Sequence, residues 1–180
     1  GSYCLTETEE ELIAKVCAAS RRTVVVLNVG NIIDMSWVAK YQPQAVIYVW
    51  QGGQEGGNGA VDVLTGKVCA CGKLTDTIAA DIHDYPSTAD FGDPYKNFYK
   101  EDIYVGYRYF ETFAKDKVLY PFGYGLSYTS FGIKAEILKN SEEELTVAAE
   151  VVNTGAVKGK EVVQVYAKVP QGKLGNPARR

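Results

Sequence analysis

The sequence predicts an α/β fold: a mostly parallel sheet flanked by helices, forming a partial α/β sandwich, followed by a partial antiparallel β-sandwich. Three observations carry this. The runs TVVVLNVG and AVIYVW are apolar without alternation, as in strands covered on both faces. Helical segments alternate with them, in the order of right-handed crossover units. After Phe131 the pattern changes to three strand-like runs separated by polar turns, at the spacing of an antiparallel sandwich.

Residues 5–19 read as a helix. Thr6 is a suitable N-cap, Glu9 stands at the capping-box position, and Glu7, Glu10 and Glu11 add charge at the positive end of the dipole. Leu12, Ile13, Val16 and Cys17 recur at helical spacing. Arg21-Arg22 leads into the first strand. Asp34 is placed to cap a short helix, MSWVAKY, which must end before Pro43. AVIYVW is the second strand, and GAVDVLTG reads as a third helix closed by Gly66. KLTDTI offers a further strand. Residues 81–100 are long, polar and rich in Tyr, Asp and Pro, the character of an ordered surface excursion. IYVGYRYF alternates aromatic and aliphatic residues and reads as a short strand. FGIKAEILKN, ELTVAAEVVNTG and KEVVQVYAKV are the three late strands, with Val147, Ala149 and Val151, then Val163 and Val165, at period 2. A sandwich of this type needs about seven strands and about 100 residues, so residues 129–180 supply only its start.

Several function classes are disfavoured by composition. With 180 residues, 46% hydrophobic and 23% charged, the chain has ordinary globular character. The net charge of -3 and a pI near 5.3 argue against a nucleic-acid or anionic-membrane partner. No apolar run approaches the roughly 20 residues that span a bilayer, and no signal peptide is evident. Gly1-Ser2 has the look of a tag-cleavage scar. Cys4, Cys17, Cys69 and Cys71 suit free thiols in a reducing compartment, and an isolated C-x-C is not a zinc site. His83, the one histidine, sits in DIHDYPST with no nucleophile in evident range and reads as a loop residue. Asp76, Asp81, Asp84 and Asp90 lack calcium-loop spacing and read as solvated surface. Tyr107-Arg108-Tyr109-Phe110 and the segment from Tyr120 to Gly125 read as packing surfaces, with Arg108 free to stack on a ring or pair with a carboxylate.

The most informative stretch is Trp50-Gln51-Gly52-Gly53-Gln54-Glu55-Gly56-Gly57-Asn58, at the carboxyl end of a strand, where open α/β sheets collect ligands. Its glycines permit positive φ and close approach, and the following helix offers free N–H groups. A dinucleotide loop requires G-x-G-x-x-G, which Gly53, Gly56 and Gly57 do not fit, and no basic residue lies nearby. Two compatible readings stand. One is a tightly packed turn beneath a neighbouring domain, with Glu55 as a first-turn acid that compensates the dipole. The other is a sugar-proximal rim, with the Trp50 ring for stacking and Gln51, Gln54, Glu55 and Asn58 for hydrogen bonds.

Five motifs occur in order: VVVLNVGNIIDMSWV, AVIYVWQGGQEGGNGAVDVLTGKV, CGKLTDTI, YKEDIYVGYRYFE and LYPFGYGLSYTSF. Together they resemble the second domain of family-3 glycoside hydrolases, the β-glucosidase-like members above all. The resemblance covers nearly the whole chain, because a fibronectin type III-like sandwich often follows GLSYTxF in this family. It implies an α/β sandwich domain at 3–128, without its N-terminal part, and the truncated start of a fibronectin type III-like domain at 129–180.

The activity implied for the parent protein is hydrolysis of O-glycosidic bonds of β-linked sugars by a retaining mechanism. Such enzymes place two carboxyl groups about 5–5.5 Å apart, one a nucleophile and one an acid/base. In the family the nucleophile is an Asp on a separate TIM-like barrel, and the acid/base Glu lies in a loop just ahead of the segment that reads YCLTETEEELI here. Neither position is matched, so no residue of this chain is assigned a catalytic role, Glu55 included, and the isolated chain is expected to be inactive. Some members carry the barrel first and others last. The resemblance implies no cofactor and no metal. Its partners are a small saccharide or β-glucoside and the TIM-like barrel, with no nucleic acid and no membrane, and the expected location is cytoplasmic. The alternative is a carbohydrate-binding or interaction module without catalysis.

Overall fold

The computed structural model describes residues 3–173 and 175–179. Gly1 and Ser2, read as a cleavage scar, lie outside the described residues. The chain divides into two compact units, one of Gly1–Gly56, Leu74–Tyr124 and Tyr166–Arg180, the other of Gly57–Lys73 and Gly125–Val165.

The first unit begins with α1 (Glu7–Ala19). Thr6 and Glu9 form the expected capping box, with the Glu9 carboxylate accepting from Thr6 N at 2.8 Å. The Thr6 donors hold the Glu9 carboxyl below the usual range. Strand β1 (Val24–Leu27) runs parallel to β2 (Ala45–Tyr48), with Val24 opposite Ala45 and Leu27 opposite Tyr48. Between them lies α2 (Ser36–Tyr41). Met35 occupies its cap position, and Asp34, one residue earlier, supplies the carboxylate, which accepts from Ser36 N at 2.8 Å and Ser36 Oγ at 2.7 Å. The helix stops ahead of Pro43 at Gln42, whose φ is 50°. Glu10 of α1 accepts from Lys40 Nζ at 2.8 Å and Tyr41 Oη at 2.9 Å, tying the helices together.

The buried core of this layer is Leu27, Ile33, Met35, Trp37 and Ile78, with Leu5, Ile13, Val25 and Val46 packed against it. The expectation that β1 is covered on both faces needs correction. Val25 and Leu27 face the core, whereas Val24 and Val26 remain 46% and 42% exposed. Valine favours extended backbone on either face, so an all-valine run hides which face is packed.

Among the described residues parallel pairing is confined to β1 and β2. From KLTDTI only Ile78 and Ala79 form a strand, β3 (Ile78–Ala79), which pairs antiparallel with β4 (Val118–Tyr120), a strand absent from the sequence reading. Tyr85 Oη accepts from Ala79 N at 2.9 Å, and Tyr3 Oη donates to Ala79 O at 3.3 Å, anchoring the start of the chain to β3. Burial raises the Tyr3 hydroxyl pKa well above its ordinary value.

The segment IYVGYRYF, expected as a strand, is corrected: residues 103–106 form no strand, and from Tyr107 the chain is a helix, α4 (Tyr107–Phe113). It starts at Gly106, whose φ of 58° favours glycine. Phe110 and Ala114, four residues apart, fall on one face and pack with Ala79. An aromatic-rich segment satisfies the two-residue and the helical period together, and the helix puts Phe110 in the core, 1% exposed. Residues 81–100 form the expected surface excursion, opening with two 3-10 turns, Ile82–Asp84 and Pro86–Ala89.

In the second unit α3 (Gly56–Leu64) ends as expected before Gly66, whose φ is 75°. It begins earlier than expected, inside the glycine run. Strands β5 (Phe131–Asn140) and β6 (Leu145–Asn153) form the expected antiparallel hairpin, Phe131 opposite Asn153. The third expected strand, KEVVQVYAKV, is corrected: no strand forms there among the described residues. Glu161 turns instead to Lys73, with Nζ 2.9 Å from Oε1, in a pair that is largely buried. Lys73 Nζ also donates to Gly125 O at 2.7 Å. Gly125 is required at this approach, since a Cβ would lie 2.3 Å from Gly72 O. Among the described residues no helix is long and apolar enough to cross a membrane.

Candidate functional site

The glycine corner follows β2. Val49 N still donates to Leu27 O at 2.9 Å, so the two strands run in register to the edge of the corner. Trp50 then takes φ 52°, in the left-handed region that is uncommon for a residue other than glycine. Its ring lies against Tyr48 at 4.5 Å between centroids. Tyr48 Oη donates to Asn31 O at 2.6 Å, which fastens the corner to the loop after β1. Burial raises the Tyr48 hydroxyl pKa.

Gly52 is sterically demanded by fixed backbone, whereas at Gly30 only the movable end of a glutamine side chain stands in the way. A Cβ on Gly52 would lie 2.5 Å from Gly56 Cα, and one on Gly30 would lie 2.7 Å from Gln51 Nε2. The Gln51 side chain therefore lies directly over the backbone at Gly30. Gly53, at φ 63°, turns the chain, and Gly56 N donates to Gly53 O at 3.2 Å as α3 begins.

Of the five residues singled out by sequence, Trp50, Gln51, Gln54 and Glu55 lie in the first unit; Asn58 lies within α3, in the second. Trp50 is half-buried and the other four are exposed. Glu55 was expected in the first helical turn and instead stands one residue ahead of α3. Tyr48, Gly30 and Asn31 were not singled out. The signal that finds them is position: Gly30 and Asn31 follow the carboxyl end of β1 as the corner follows that of β2.

The corner presents one indole face, two carboxamides and one carboxylate within six residues. Such a surface can stack on and hydrogen-bond a polyhydroxylated ligand. A single carboxylate does not make the paired acid and nucleophile of glycoside cleavage. Elsewhere the aspartates have structural partners: Asp81 accepts from His83 N at 2.8 Å, Asp84 pairs with Lys117 at 3.5 Å, and Asp90 pairs with Lys100. No group of three metal-ligating residues occurs among the described residues. The four cysteines are free; buried Cys69 lies 3.2 Å from Ser127 Oγ. Tyr107 stacks on Phe122 at 4.9 Å and meets Tyr166 edge-on at 5.7 Å, and the Arg108 guanidinium lies 5.9 Å from the Tyr107 ring. A depression of about 290 Å³ lies beside α4, where Glu111 pairs with Lys115 at 3.1 Å and Arg179 at 3.5 Å.

Residues 1–128 match the model of the glycosyl hydrolase family 3 C-terminal domain. A beta-glucosidase of Ruminococcus albus is 54% identical over 179 residues, covering 99% of this chain and 19% of that protein. Beta-glucosidase A of Butyrivibrio fibrisolvens is 46% identical, covering 99% of this chain and 24% of its own length. The structure of a beta-glucosidase from Paenibacillus barengoltzii matches with a TM-score of 0.92 at 52% identity, over 99% of this chain and 20% of that one. Beta-glucosidase 3B from Thermotoga neapolitana, in complex with α-D-glucose, matches with a TM-score of 0.89 at 38% identity, over 98% of this chain and 26% of that one. The chain thus spans a quarter or less of the length of the curated relatives named here.

Proposed function

The chain belongs to glycosyl hydrolase family 3, and from that premise we propose that it is one lobe of a β-glucosidase that cleaves O-glycosidic bonds of β-linked glucosides by a retaining mechanism. The observation that carries this is 54% identity to a beta-glucosidase along 99% of the chain. The nucleophile and acid/base belong to other parts of the parent protein, the nucleophile to a TIM-like barrel, and the chain alone is inert. The corner fits this division, since it carries one acidic side chain, Glu55, rather than a pair. Its role is that of a rim: Trp50 for stacking, and Gln51, Gln54 and Glu55 for hydrogen bonds to a sugar, with Asn58 following in α3.

In this reading residues 3–128 are part of an α/β sandwich, and 129–180 open a fibronectin type III-like sandwich whose first hairpin is β5–β6. The free cysteines suit a cytoplasmic protein, a placement that fractionation of the source cells checks. The test of the activity is the full-length protein on an aryl β-glucoside, with the product followed by NMR. Retention makes β-glucose the first anomer to appear; α-glucose first would refute it. Substituting Trp50→Ala in the full-length protein is expected to raise KM more than it lowers kcat.

A further inference from the structure

We propose that the loop spanning residues 91–99 is a saccharide-stacking surface that takes the faces of pyranose rings in a β-linked glucan chain. Four aromatic rings fall within nine residues: Phe91, Tyr95, Phe98 and Tyr99. Three are almost bare, with Phe91 89%, Tyr95 92% and Tyr99 86% exposed. An aromatic side chain can bury about 150–250 Å² when covered, so leaving three uncovered forgoes a large stabilisation unless a ligand supplies it.

The loop is built rather than slack. Lys100 pairs with Asp90 across its neck, and the Lys100 ammonium lies 5.8 Å from the Phe98 ring. At the tip Asp93 Oδ1 accepts from Tyr95 N at 2.8 Å and Lys96 N at 3.1 Å, fixing the turn that carries Tyr95. A surface ordered beforehand loses less freedom on binding.

The chemistry of the occupant follows from what the loop contains. It has no valine, leucine or isoleucine, whereas the uncovered face of β1 is all valine. Asp90 and Asp93 balance Lys96 and Lys100, so the loop has no field to attract a polyanion. Flat rings with tyrosine hydroxyls at their tips suit a neutral ligand with apolar C–H faces and hydroxyl edges. A β-linked glucose unit has that form, its hydroxyls equatorial and its C–H bonds on both faces. The choice of β-glucan rests on the proposed glucosidase activity; the stacking role rests on the rings alone.

The test is calorimetric titration of the chain with cellohexaose and, separately, maltohexaose. The wild-type chain is expected to bind cellohexaose with millimolar affinity. Removing one ring, as in Tyr95→Ala, weakens it roughly two- to tenfold, and the triple variant Phe91→Ala/Tyr95→Ala/Tyr99→Ala weakens it at least about tenfold. Because these rings are exposed, thermal unfolding of the triple variant should match the wild type. No binding by the wild-type chain, or binding that survives the triple variant, overturns the proposal. So does sedimentation showing that the rings drive self-association without any saccharide binding. Ring-dependent binding of maltohexaose but not cellohexaose would overturn the β-glucan assignment, while the glucosidase reading of the parent is tested separately by its own aryl β-glucoside assay.

Discussion

The β1–β2 layer and the β5–β6 hairpin have equally strand-like sequences, yet only the first builds a core. Around β1 and β2, Trp37 is 1% exposed and Ile78 equally buried, because α1, α2 and the β3 segment close over one face. Along the hairpin no residue is buried, and Ile137 is 63% exposed. Pairing alone satisfies the backbone; burial needs a second layer. The same contrast separates the two faces of β1, one packed and one bare.

The contrast can be broken most forcefully at Trp37. Trp37→Ala should lower stability by about 3–5 kcal/mol, enough to unfold the first unit, while Ile137→Ala should cost below about 1 kcal/mol. Urea unfolding measures both; equal costs would contradict the division. Next comes the corner. Gly52→Ala forces a Cβ against Gly56 Cα and should cost about 1–3 kcal/mol, whereas Gly57→Ala, with open space around the site, should be near neutral or mildly stabilising in α3. Thr6→Ala removes the capping hydroxyl from α1 and should cost about 1 kcal/mol, seen as a small fall in melting temperature.

The smallest effect concerns pH in the second unit. Lys73 holds the Glu161 carboxyl below its ordinary value of 4.5. A depressed folded-state value means the unfolded chain binds the proton more readily. The contribution is therefore complete above pH 4.5 and lost as pH falls through the lower folded value. Glu161→Gln should flatten the acid limb of the stability profile of β5–β6, with little change in the β1–β2 layer. An unchanged acid limb would show that the pair is worth nothing in solution.

Much of the first unit, and the end of α3 in the second, was legible because the signals are local. The Thr6–Glu9 box, the Asp34 carboxylate, the stop before Pro43 and the glycine at 66 each act within a few residues. What was not legible depends on long-range partners. The one-sided burial of β1 cannot be seen in a run of valines. The helix at Tyr107–Phe113 packs Phe110 and Ala114 with Ala79, about thirty residues away, a partner that no local pattern shows. KEVVQVYAKV forms no strand among the described residues; within it Glu161 pairs with Lys73, 88 residues earlier, a contact no local pattern announces. At the corner, sequence identified the strand end and its glycines but not Tyr48 under Trp50, since a ring contact two residues apart looks like ordinary strand composition.

We propose that this chain carries a sugar-facing rim and no complete catalytic pair. The most direct measurement is nitrophenol release from an aryl β-glucoside by the purified chain and by its Glu55→Gln variant. No release above the blank from either protein is the predicted result. Release by the chain that persists in the variant, or release that Glu55→Gln abolishes, would place working carboxylates inside these 180 residues and contradict it.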